Sequence, residues 1–89
     1  MVKKQKYMPE ISRFLGIIIS MYFDEHNPPH IHVQYNEYRA AMDIYDFNII
    51  AGSLPAKVRG LVAEWMELHS EELLKMWETK EFHRITPLV

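Results

Sequence analysis

The sequence predicts an α+β domain: a small antiparallel sheet of three to four strands (a meander) packed against one long or two short C-terminal helices. Three observations carry this. Short β-branched and aromatic runs separated by turn residues fill positions 16–51, and two of them alternate with period two. At Gly52–Pro55 the pattern changes to apolar spacings of three and four. With 89 residues, 48% of them hydrophobic, and a net charge of -2, the chain can build one core and no more.

Taken in order, residues 1–7 carry Lys3, Lys4 and Lys6 and read as a basic flexible extension. A single domain then spans 8–80, and 81–89 form a C-terminal tail. Ile11 and Phe14 plug an edge of the core. Gly16 to Phe23 reads as the first strand, β-branched at Ile17, Ile18 and Ile19 and apolar through Met21, Tyr22 and Phe23. Apolar residues at both parities imply a strand covered on both faces, or covered on one by a second subunit, so a homodimer is expected. Pro28–Pro29 interrupts pairing. His30 to Tyr35 then alternates, with Ile31, Val33 and Tyr35 on one side and His30, His32 and Gln34 on the other. Asn36–Glu37 turns the chain. Tyr38 to Tyr45 returns with Ala40, Met42 and Ile44 inward, Asp46–Asn48 turns again, and Ile49–Ala51 makes a last short strand. Consecutive strands with short connections form a meander.

Pro55 suits a first helical turn, with Ser53 as a cap upstream. Val58, Leu61, Val62, Trp65, Met66, His69, Leu73, Met76 and Trp77 give the apolar stripe. One helix from Pro55 to Lys80 would be roughly 37 Å long at 1.5 Å per residue. A break at His69–Ser70 is preferred, because Ser70 ahead of Glu71–Glu72 makes a second helix start. The tail from Phe82 either adds a short strand or stays loose.

Several classes fall away. The chain has no cysteine, which removes disulfides, thiolate zinc sites and cysteine nucleophiles. Its longest apolar run, Gly16–Ile19, is far short of the roughly 20 residues of a membrane span, and no cleavable signal follows the lysines. A cytoplasmic protein without a membrane partner is expected. Walker loop, dinucleotide-binding glycines and serine nucleophile elbow are all missing. Net charge near zero disfavours strong non-specific nucleic-acid binding. A local patch of Tyr22, Tyr35, Tyr38 and Tyr45 with Arg13 and Arg39 keeps stacking and phosphate contacts open, although aromatic residues on strands more often pack.

The chemistry is concentrated in Asp24–Val33, where three of the five histidines fall within seven positions. On a strand, His30 and His32 share a face with Cα atoms about 6.5 Å apart, a separation that suits two ligands on one ion. His26 arrives from the loop as a third ligand, with Asp24 or Glu25 as a fourth or a supporting partner. His69 joins them if its helix covers that face. Zinc or another divalent transition metal fits such a set. Two other readings stand beside it. His30 and His32 work as acid and base while Arg39 or Arg13 holds a phosphate, or the histidines fix the turn by bonding loop carbonyls. Whether the protein is an enzyme is left open by these residues.

Met8–Phe14, Met21–His32, Leu54–Pro55, Glu64–His69 and Glu72–Glu78 together resemble domain-of-unknown-function family 4160. The resemblance runs from about Met8 to Trp77 and places His26, His30, His32 and His69 on signature positions. It implies a small prokaryotic protein of a toxin–antitoxin-like two-gene module. Such a protein would act by binding a small protein partner from the same operon, or nucleic acid. The rival is a histidine-based or metal-dependent hydrolase, such as an RNase, built on His26, His30 and His32.

Overall fold

A computed structural model describes residues 9–89, so the lysine-rich extension lies outside the described residues. The sheet has five strands: β1 (Glu10–Phe14), β2 (Ile17–Ser20), β3 (His30–Tyr35), β4 (Tyr38–Asp43) and β5 (Ile49–Gly52). They lie in chain order and every neighbouring pair is antiparallel, the expected meander. The expected count of three to four strands is corrected to five, and the extra strand is β1. Its sequence does not alternate: Ile11, Ser12 and Phe14 are all buried, and its register against β2 shifts between Glu10 and Ser12. A bulge of this kind erases the period-two signal. The turn that follows is Leu15–Gly16, with φ of 53° and 79°. Positive φ at both central residues is what a tight mirror-type hairpin turn requires, so Gly16 ends one strand pair's turn and does not open a strand.

Two other strands are shorter than their apolar runs. β2 stops at Ser20, and β4 stops at Asp43, whose carboxylate accepts the backbone N–H groups of Tyr45 at 2.7 Å and Asp46 at 3.3 Å. Side chains at this position compete with the ladder by capping the turn themselves.

Helix α1 (Ala56–Leu68) and helix α2 (Ser70–Thr79) meet at His69, which leaves helical geometry at φ -124° and ψ 18°. Pro55, and not Ser53, occupies the α1 N-cap, and no side chain caps it. Glu71 and Glu72 fall in the first turn of α2, where the helix dipole favours them. Lys80, at φ 60°, closes α2 by donating its N–H to the Met76 carbonyl at 2.8 Å.

Both helices contribute to one core. Val58, Val62, Trp65, Met66, Leu73, Met76 and Trp77 join Ile17, Ile19, Ile31, Val33 and Met42 of the sheet. The opposite face, carrying His32 and Gln34, is therefore left to solvent and loops. Residues 81–89 form neither helix nor strand, yet they are seated. Ile85 N–H donates to the Ile11 carbonyl at 2.7 Å, Ser12 Oγ donates to the Ile85 carbonyl at 3.0 Å, and Trp65 Nε1 donates to the Thr86 carbonyl at 2.9 Å. Ile85 itself is 4% exposed. Among the described residues, no helix is long and apolar enough to cross a membrane.

Candidate functional site

His30 opens β3 and His32 follows two residues later, so strand geometry sets both imidazoles at one end of the sheet. The loop between β2 and β3, in which the Asn27–Pro28 peptide is cis, brings Glu25 back over them. One carboxylate oxygen, Glu25 Oε1, meets His30 Nε2 at 2.8 Å and is also in hydrogen-bond contact with His32 Nε2. The ligand atoms of Glu25, His30 and His32 all lie within 4.8 Å of one another. His30 Nδ1 faces the Pro28 carbonyl oxygen at 2.7 Å. His30 is nearly enclosed, whereas His32 and Glu25 keep about a third of their side-chain surface open, at 31% and 30%.

Electrostatics follow from these contacts. Burial pushes the Glu25 carboxyl upward. The hydrogen bonds and charges of His32 and His30 outweigh it, and the net direction is below the ordinary carboxylate range. Tyr22 stacks on His32 with ring centroids 4.3 Å apart. Its hydroxyl is pushed up by burial and by the Glu25 charge, with Arg39 acting the other way.

The packing behind the site comes from far along the chain. Trp77 of α2 lies against His30 with ring centroids 5.1 Å apart, and its Nε1 donates to Asn27 Oδ1 at 3.3 Å. The Lys80 ammonium sits 3.8 Å from the Trp77 ring centroid. Phe23, at the start of the loop, stacks on Phe82 of the tail at 5.0 Å. Helix end and tail thus brace the loop that delivers Glu25.

Of the residues singled out from sequence, His30 and His32 are brought together. Glu25, one of two acids considered as a helper, is the third member. His26 is exposed and is not among those three ligand atoms. His69 lies elsewhere, because its helix packs on the Ile31 and Val33 face. Its ring neighbours Trp65 at 5.4 Å, and its Nδ1 is 3.6 Å from Glu72. Arg39 is exposed on β4 and lines the open face beside His32. Arg13 is occupied by Glu10, with bonds of 3.0 and 2.7 Å. Trp77 was legible only as part of a stripe that serves as core or as a subunit interface. Its separation of 47 residues from His30 left no local signal of the contact.

These features define a small α+β domain with a His–Glu–His cluster at the loop end of an antiparallel meander. The chain belongs to the family described as domain of unknown function DUF4160, whose model matches residues 16–78. The match contains the whole cluster and leaves β1 and the tail outside. Comparison with curated proteins and comparison with solved structures each found no match.

Proposed function

We propose that Glu25, His30 and His32 hold a divalent transition metal such as zinc, and that the site is a hydrolytic centre. The supporting observation is the convergence of three donor atoms, one each from Glu25, His30 and His32, all within 4.8 Å of one another. His30 Nδ1 is turned to the Pro28 carbonyl oxygen, which leaves Nε2 as the ring nitrogen that faces Glu25 Oε1. A small outward shift of the donors from these direct contacts would admit an ion. The carbonyl on Nδ1 is the usual partner that fixes the tautomer of a metal-bound histidine. Two imidazoles and one carboxylate are the donor types zinc takes in catalytic sites, where three protein ligands leave a position for water.

A bound zinc would supply an activated water at neutral pH. Glu25, His30 and His32 would hold the ion, Glu25 also offsetting its charge, and Trp77 would fix the plane of the His30 ring. The test is metal analysis of tag-free protein purified without chelator, for wild type and His30→Ala/His32→Ala. Near-stoichiometric metal in wild type and none in the variant is expected, with RNA cleavage lost in parallel and the fold retained by circular dichroism. Metal-free wild type that does not bind added zinc would overturn the reading.

A second reading, the two-gene module, draws on a different feature. Among the described residues β5 is an edge strand paired only with β4, and its Ile50 is 46% exposed. An open edge of this kind accepts a strand from a partner. Co-purification with the product of a neighbouring gene, lost in Ile50→Lys, is the expected result. Failure to capture that product with wild type would remove it.

A further inference from the structure

The open face of the sheet holds a groove of about 300 Å³ that begins at His32 and runs away from the cluster. Register explains its shape. Ser20, His32, Ala41 and Ala51 form one row across β2 to β5, and Ile18, Gln34 and Arg39 form the next. The floor is thus flat and apolar at Ala41 and Ala51, where no side chain rises beyond Cβ. Tyr22 and His32, stacked together, stand at one end. Arg39 stands diagonally across from His32, at the roughly 7–8 Å that separates diagonal neighbours on paired strands. Among the described residues Arg39 makes no ion pair, although three carboxylates elsewhere hold partners.

We propose that this groove binds one nucleotide unit, with the base on the Ala41–Ala51 floor and the phosphate on Arg39. The proposal rests on the hydrolytic reading of the adjacent cluster and names the substrate class that reading lacks. Three features select the ligand. A floor without projecting side chains suits a flat ring. An arginine lacking a carboxylate partner suits a phosphate, which its planar fork matches with two hydrogen bonds. The volume lies at the low end for small-ligand sites, enough for one nucleotide and too small for two. The same chemistry is offered by a free mononucleotide and by one residue of single-stranded RNA.

The experiment is an amide-resolved NMR titration of the full chain in the presence of chelator. Its probes are AMP, adenosine and a short single-stranded oligoadenylate. AMP is expected to shift the amides of Gln34, Arg39, Ala41 and Ala51, and adenosine to bind more weakly. Arg39→Met should weaken AMP by at least about tenfold, the scale of one charge-assisted contact, while Arg39→Lys recovers part of it. Ala51→Leu should block the groove with Arg39 untouched. Oligoadenylate shifting the same amides more strongly than AMP would assign the site to RNA, and AMP alone to a free nucleotide; both support it. Absence of shifts on this face at millimolar AMP, or Arg39→Met binding AMP like wild type, would overturn it. Because chelator is present, a failure of AMP to bind is separate from a failure of the metal site, which is read from metal content alone.

Discussion

At the scale of single residues, Glu25 is the member of the cluster that most directly tests its chemistry. Glu25→Gln keeps the shape and replaces an anionic oxygen with a poor ligand. Zinc affinity, measured by chelator competition, should fall by more than the roughly 10–100-fold typical of losing a supporting hydrogen bond. Unchanged affinity would remove Glu25 from the ligand set. Glu10 offers a pH-dependent test away from the site. Hydrogen bonds from Arg13 at 3.0 and 2.7 Å and from Arg84 at 2.9 Å hold its carboxyl down from 4.5 to about 2. The folded state therefore binds this proton less readily than the unfolded chain. Its contribution to stability is complete above pH 4.5 and fades as pH falls towards about 2. Side-chain NMR should place the Glu10 midpoint near 2 and move it upward in Arg84→Met. A wild-type midpoint near 4.5 would show that the arginines do not engage it.

At the scale of elements, the β4–β5 pair depends on one backbone conformation. Gly52 has φ 75°, and a Cβ there would run into the Arg39 carbonyl. Gly52→Ala should cost upwards of about 1 kcal/mol in urea unfolding, since neither the left-handed backbone nor the space suits a side chain. A neutral result would mean that β5 can re-pair without strain. The same pair carries the Ala41–Ala51 floor of the groove on the open face, so under the nucleotide proposal the substitution should also weaken AMP binding. α2 matters to the site through its last turns, where Trp77 touches both His30 and Asn27. Helix position and loop position are thereby tied together. Period-three and period-four spacing marked Trp77 as buried, but that pattern reports a helix face and not its distant neighbour.

At the scale of the whole molecule, the two sheet edges differ. β1 is covered by the tail through Ile85, while among the described residues β5 pairs with β4 alone. Ile85→Asp places a charge where a side chain is 4% exposed. It should destabilise by more than the ~1.5–3 kcal/mol that burying such a side chain contributes. It should also uncover a strand edge, giving concentration-dependent self-association in size-exclusion chromatography. A variant as stable and monodisperse as wild type would show that the tail is dispensable.

By itself the sequence determined the meander, the change to helix at Gly52–Pro55, the break at His69 and the shared face of His30 and His32. All four are local: periodicity states which side of its own strand or helix a residue occupies. Tertiary structure alone decided the rest. Strand β1 was hidden because a bulge removed its alternation. Glu25 was chosen over Asp24 by the path of the loop. His69 fell on the far side because the helices cover the Ile31 and Val33 face. Trp77 reached His30 through packing between segments 47 residues apart, and Arg39 lined up beside His32 through the register of the β3–β4 hairpin. Local pattern fixes which way a side chain points, and only the closing of the chain on itself fixes what it meets.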